Sequence, residues 1–306
     1  MGKSRVTGAV LATALLCTGA VACSSETSGG GSKAVKADKP QSKAVTTKAI
    51  TAAYKKTAAA KSAHVEMVMK MPAGVDGGGD MKMSGLMGWD PTVMDMTASG
   101  SAFAAGEGPD KVRMVWQDNV MYMDMGAAAA KDMDGKRWMK MDLNAIADEA
   151  GDEAMAKQLT GSLDSANQDP AQQLAMLLDS PNLKHIGSEK IDGQQTQHYK
   201  GKLTVAEMME SNDSLDVLSK SERDELLKNV EKAGIKGYDT EVWVNEDDYP
   251  ARMDIAMDSA EGTVDISMTY SDYGTAVKVS PPAAKDTFDL MEMMKGLEEM
   301  GADNAS

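Results

Sequence analysis

Methionine returns at every second position in several separate stretches of this chain: Met67, Met69 and Met71; Met81 and Met83; Met121, Met123 and Met125; Met139 and Met141. Successive side chains of a strand leave opposite faces, so a period of two places each set on one side of a β-strand. Val68 and Lys70 fall on the other side of the first run, Tyr122 and Asp124 on the other side of the third. Val112, Met114 and Trp116 alternate with Arg113 and Val115, and Arg137 shares the parity of Met139 and Met141. Gly77-Gly78-Gly79-Asp80 and Asp118-Asn119 supply turns between runs. Strands in sequence joined by short turns predict an antiparallel meander.

Helical spacing appears in two places. Val45, Ala49, Ile50, Ala53, Tyr54 and Ala58 recur at mainly three- and four-residue intervals and predict a helix over 46–62 with lysines on its far side. The middle of the chain predicts further helices. Asn144 is the expected N-cap of one reaching about Thr160, and Asp169-Pro170 opens a short one carrying Leu174, Leu177 and Leu178. Thr204 with Glu207 has the form of a capping box, and Ser221 with Asp224 starts a helix stopped by Gly234. Strands are expected over 184–190 and 195–203 about an Asp192-Gly193 hairpin turn, then over 240–244, 252–257 and 263–270. A helix, a run of strands, inserted helices and more strands define an α+β class, with helices on one face of an antiparallel sheet. No internal repeat or linker divides it.

Twenty-seven methionines against two phenylalanines give the chain its odd composition. Unbranched, polarizable thioethers suit a surface that adapts to varied apolar shapes. On that reading the sheet face lines a deformable apolar cavity, with Met67, Met69, Met71, Met81, Met83, Met114, Met121, Met123, Met139, Met141, Met253, Ile255 and Met257 as candidate ligand-binding residues. Two other readings stand beside it. Methionine can replace leucine in a solid core, and thioethers are soft ligands for Cu(I), for which the tail methionines Met293, Met294 and Met300 are also available. His64 is the one histidine near a methionine cluster; His185 and His198 fall in strands as surface or hydrogen-bonded residues.

The N-terminus sets the compartment. Lys3 and Arg5 precede an uncharged, mostly apolar run over 6–22 that ends in small residues before Cys23, the order of a secretory signal peptide. Ala20-Val21-Ala22-Cys23 resembles a bacterial lipobox, so Cys23 is the expected lipidation site. Cys17 competes, but Leu16 before it is bulky for a cleavage position. These are the only two cysteines, so the mature chain has no disulfide and no thiolate chemistry. The expected organisation is a signal peptide over 1–22, lipidated Cys23 and a flexible Gly/Ser/Lys linker over 23–44, one domain over 45–290 and a mobile acidic tail over 291–306. An extracytoplasmic protein held to the cell membrane by its lipid follows, with no further apolar run of about 18 residues to span a bilayer.

Loss of Lys3 and Arg5 takes the formal net charge from −15 to −17, which excludes nucleic acid as a partner. No Gly-x-Ser-x-Gly, phosphate-binding glycine loop or His-Glu-x-x-His is present, and carboxylate pairs such as Asp247-Asp248 read as hairpin turns. The chain is read as a non-enzyme with no catalytic residue, no cofactor and no metal site. It is expected to act as a monomer.

The layout resembles actinobacterial lipoproteins of the LppX/LprG type, which share a fold with the LolA and LolB carriers and the sensor domain of RseB. The resemblance rests on the lipobox at Cys23 and the helix-to-strand entry over 45–71. It continues through Ile191-Asp192-Gly193 to His198-Tyr199 and the hairpin from Val242-Trp243-Val244 through Tyr249-Pro250 to Met257. The closing Tyr270-Ser271-Asp272-Tyr273-Gly274, Val277, Val279 and Pro281-Pro282 complete it. The resemblance implies a curved antiparallel half-barrel, closed by helices around an apolar cavity that takes a lipid or acylated ligand. An alternative within the same fold is an envelope sensor or structural lipoprotein with a filled interior. One departure is the use of methionine where such cavities often carry aromatic and branched residues.

Overall fold

A computed structural model describes residues 41–72, 78–101, 109–131, 133–150, 169–207 and 234–292. The signal peptide, Cys23, most of the linker, the helix expected from Ser221 and the tail methionines Met293, Met294 and Met300 lie outside the described residues.

Twelve strands form one open sheet. The first meander comprises β1 (Ser62–Met71), β2 (Gly79–Trp89), β3 (Thr92–Gly100), β4 (Lys111–Gln117), β5 (Val120–Asp124) and β6 (Trp138–Asp142). The second comprises β7 (Lys184–Ile191), β8 (Gln194–Thr204), β9 (Gly237–Asn245), β10 (Pro250–Ser259) and β11 (Gly262–Ser271). β1 and β11 pair antiparallel and join the two, giving the order β12-β6-β5-β4-β3-β2-β1-β11-β10-β9-β8-β7. The short β12 (Thr287–Asp289) is the exception, pairing parallel with β6. The tight turns are those whose sequence tolerates positive φ: Asp118-Asn119 at 54° and 61°, Asp192-Gly193 at 47° and 85°.

The described residues include four helices: α1 (Lys43–Ala60), a single turn α2 (Gly126–Ala129), α3 (Leu143–Ala150) and α4 (Pro170–Asp179). α1 begins at Lys43, inside the expected linker, and ends at Ala60, before a left-handed Lys61. It buries Thr46, Ile50, Ala53 and Thr57, a stripe turned from the expected one. Val45 and Tyr54 are exposed instead, at 51% and 37%. α4 starts as its sequence dictates, with the Asp169 carboxylate accepting from Ala171 N at 2.8 Å and Pro170 in the first turn. α3 corrects a prediction. Its cap is Asp142, which accepts from Ala145 N at 3.2 Å, while Asn144 turns its side chain to Asp118 O and Asn119. The capping box is formed: Glu207 accepts from Thr204 N at 2.8 Å, and Thr204 Oγ1 from Glu207 N at 3.3 Å.

α1 and α4 pack on each other, and with one face of the sheet they make the core. Ile50 and Ala53 meet Leu174 and Leu177 with Val65, Val242, Val244, Met253, Met268 and Tyr270. α4 approaches β8 at Gly201, where a Cβ would stand 2.6 Å from Leu177 Cδ1. Beside it, Ser180 Oγ donates to Lys202 O at 2.8 Å and accepts from Lys202 N at 3.0 Å, fixing the end of the helix to the strand.

β3 was not among the expected strands, although Met94, Met96 and Ala98 repeat the same alternation. It lies between the Asp90-Pro91 turn and a glycine- and alanine-rich stretch, both weak β signals. Two smaller corrections concern strand ends. β5 stops at Asp124, so Met125 leaves the methionine parity and precedes α2; β6 starts after Arg137, whose guanidinium is drawn into a two-point pair with Asp124.

Candidate functional site

Register places all thirteen candidate residues on one face of the sheet. Met67 stands opposite Met83 on one side and Met268 on the other, and Met69 opposite Met81 and Ile266. Met253 pairs with Met268, Ile255 with Ile266 and Met257 with Val264. Met71, at the end of β1, is opposite Gly79. In the other half, Met114 faces Met123, Met121 faces Met141, and Met123 faces Met139. Adding the strand missed from sequence, one uninterrupted row runs Met96–Met114–Met123–Met139 across four strands, ending at Phe288. A second runs Met87–Met94–Trp116–Met121–Met141. Directly opposed side chains in a sheet sit about 5 Å apart at Cβ, so each row is a strip of adjoining thioethers.

Burial divides this face in two. Met67, Met253 and Ile255 are 8%, 0% and 7% exposed and belong to the cluster beneath α1 and α4, as do Met87, Met96 and Met268. Met83 packs against its border. Met69, Met71, Met81, Met114, Met121, Met123, Met139, Met141 and Met257 are half-buried and lie outside that cluster. Four methionines on this face, Met87, Met94, Met96 and Met268, were not among the expected site residues. The available signal is parity: Met87 with Met81 and Met83, Met94 and Met96 with Ala98, and Met268 with Tyr270.

The opposite face carries the ion pairs, beside apolar residues such as the fully buried Val115. Arg113 makes a two-point contact with Asp95 at 2.8 and 2.7 Å, and Arg252 with Asp254 at the same distances. Lys200 and His198 converge on Glu241 at 2.8 and 2.6 Å, and Lys202 meets Asp239 at 2.9 Å. Burial alone would raise the Glu241 carboxyl, but Lys200 and then His198 outweigh it and hold its pKa below the usual range. His198 stacks on Trp243 at 4.2 Å between ring centroids, and the Trp243 indole N–H donates to Glu189. His185, by contrast, stands opposite Tyr199 on the helix-covered face and is buried with its Nε2 at 2.7 Å from Gln197 Oε1, so both strand histidines are hydrogen-bonded as expected. Two concavities, of about 330 and 240 Å³, open on the ion-paired face; the larger is lined by Lys70, Lys200, Glu241 and Arg252 together with the candidate Ile255 and Ile266, the smaller by Glu66, Asp192, Gln194 and Thr269 together with Ile191 and Ala251. Neither is the apolar cavity expected on the methionine side.

Where the closing strand meets β10, Tyr249 and Tyr273 stack at 4.4 Å, Tyr270 lies 6.2 Å from Tyr273, and Trp89 meets Tyr273 edge-on at 6.4 Å. Tyr273 donates to Pro250 O at 2.9 Å and Tyr270 to Met268 Sδ at 3.2 Å. Burial pushes both phenols well above the ordinary tyrosine value. This cluster anchors the core end of the methionine face.

An open, largely antiparallel sheet with two helices on its apolar face defines the structural class. The chain is 30% identical over 263 residues to a 31.2 kDa protein of the rplA–rplJ intergenic region of Streptomyces griseus, covering 83% of this chain and 82% of that one. It belongs to the same family as that protein. It is also 25% identical over 223 residues to a putative lipoprotein of Streptomyces coelicolor, 70% of this chain and 66% of the other. Among solved structures it matches the lipoprotein LppX of Mycobacterium tuberculosis (14% identity, TM-score 0.46, 78% of this chain and 100% of that one). It also matches LprF of Mycobacterium bovis (14%, TM-score 0.47, 81% and 100%). No protein-family model matches the chain.

Proposed function

We propose that this chain is a membrane-anchored, non-enzymatic lipoprotein that holds the acyl chain of a lipid against its methionine face. The observation behind this reading is the continuous strip of half-buried thioethers on β4, β5 and β6, beside a core that is already closed. Such a strip is wide, flexible and apolar, and each methylene it takes from water contributes about 0.8 kcal/mol without any catalytic group. Met69, Met71, Met81, Met83, Met114, Met121, Met123, Met139, Met141 and Met257 are the contact residues. Met67, Met253 and Ile255 support them from the core. The sheet curls as a half-barrel around the bound chain. Cys23 carries the lipid anchor after removal of residues 1–22, the 45–290 domain acts as a monomer outside the cell, and the 291–306 tail follows it.

The test is native mass spectrometry of the mature protein together with uptake of a fluorescent fatty acid. Co-purifying lipid, or saturable uptake, is expected. Absence of both would reject the carrier reading and leave the alternative, an envelope sensor with a filled interior. That alternative is favoured by one observation, the burial of Met67, Met253 and Ile255 in the helix-covered core.

A further inference from the structure

We infer that the outward side of α1 is a docking surface for an anionic bilayer, and that it turns the methionine face toward the membrane. Residues 24–60 carry seven lysines against Glu26 and Asp38, a net charge of +5; with −17 on the mature chain, the remainder carries −22. The basic charge is gathered at the membrane-proximal end of the chain as read above, on which this inference rests. Within α1 there is no acidic residue at all.

The geometry of α1 sharpens the point. Its buried stripe is Thr46, Ile50, Ala53 and Thr57. On the opposite side, at intervals of three, four and one residues, stand Val45, Lys48, Ala52, Lys55, Lys56 and Ala59, with all three lysines and Val45 exposed. All six are small, apolar or carry a four-carbon stem that can lie along headgroups while the ammonium remains hydrated; Val45, 51% exposed, is the apolar contact at the start of the helix. Small buried residues let α1 pack closely on α4, and that rotation turns Lys48 and Lys55 outward, while Lys56, also exposed, stands 5.7 Å over the Tyr249 ring.

Lysines near an anionic surface contribute additively, and the acidic remainder is repelled from it, so the two effects select one orientation. α1 lies on the same face of the sheet as the methionine rows, since Ile50 and Ala53 share a cluster with Met67, Met87 and Met96. With α1 against the headgroups, the half-buried methionines beside it are turned toward the source of acyl chains.

The experiment uses the mature chain with Cys23→Ser, so that no covalent lipid contributes, and sedimentation with vesicles of phosphatidylcholine alone or enriched in phosphatidylglycerol. Binding to the anionic vesicles, weakened by salt, is expected. The triple variant K48E/K55E/K56E should lose about fivefold per lysine removed, so about a hundredfold or more in total. The linker variant K33S/K36S/K39S should lose less. Equal binding by the wild type and the α1 variant, or no anionic-vesicle binding by the wild type, overturns the inference. All three lysines are exposed, and an unchanged melting temperature verifies the fold. Uptake of a soluble fatty acid by the α1 variant separates the two proposals: retained uptake with lost vesicle binding supports docking, while a wild type that binds vesicles but takes up no fatty acid sinks the carrier reading alone.

Discussion

Met123 and Met253 share one sheet face but should answer mutation in opposite ways. Met123 is half-buried in the open row between Met114 and Met139. Met253 is 0% exposed beneath the helices, opposite Met268 and Val242. Met123→Asp puts a hydrated carboxylate where an acyl chain would lie. If it strips three methylenes of their contact at about 0.8 kcal/mol each, binding weakens by roughly 2.4 kcal/mol, about fiftyfold. Its stability cost should stay near or below about 1 kcal/mol, because the site is partly solvated. Met253→Ala should do the reverse: about 2–5 kcal/mol of stability lost to the cavity, lowering Tm by roughly 10 °C in a domain of this size, with fatty-acid affinity per folded molecule unchanged. Met123→Leu, which keeps volume and apolarity, should retain binding. The assays are a fluorescent fatty-acid titration and urea unfolding on the same preparations. Unfolding of Met123→Asp, or equal loss of affinity in both variants, would refute the division of the face into a closed core and an open binding strip.

Three further outcomes follow from named contacts. Under limiting peroxide, Met114, Met121, Met123, Met139 and Met141 should form sulfoxides well before Met253, Met268 and Met96, which are 0%, 0% and 2% exposed; peptide mapping showing uniform rates would contradict the burial pattern. Tyr270 and Tyr273 have folded pKa values above that of the unfolded phenol, so their contribution is fully present below about pH 10 and is lost as pH rises beyond it. The urea midpoint should therefore fall above that pH, and fall less in Tyr273→Phe; an equal fall in both proteins would assign the alkaline loss elsewhere. Ser180→Ala removes both bonds to Lys202 at a site 2% exposed and should cost about 1–3 kcal/mol, whereas a change below about 0.5 kcal/mol in chemical denaturation would deny that link its role.

The methionine alternation made most strands legible, because a period of two survives any tertiary context that buries one face. Its parity also placed Met67, Met121 and Met253 on a common surface before any pairing was known. What sequence could not supply was the division of that surface, since burial of Met253 and exposure of Met123 depend on where α1 and α4 settle. The α1 stripe was misplaced for a related reason. Apolarity favours Val45 and Tyr54, but close packing on α4 favours the small Thr46, Ala53 and Thr57, which set Ile50 and Ala53 in one cluster with Leu174 and Leu177. Asn144 lost its expected capping role to Asp142 because the nearby Asp118-Asn119 turn offers Asn144 other partners. The apolar cavity is expected both from the methionine parity and from the resemblance, whereas the two concavities described above carry their charged lining on the opposite face.

The most direct test of the account is a methyl-labelled methionine spectrum of the mature protein titrated with a long-chain fatty acid. Saturable shifts are expected at Met114, Met121, Met123, Met139 and Met141, with Met253 and Met268 unmoved. Shifts confined to the core methionines, or none at any of these positions at saturating ligand, would contradict it.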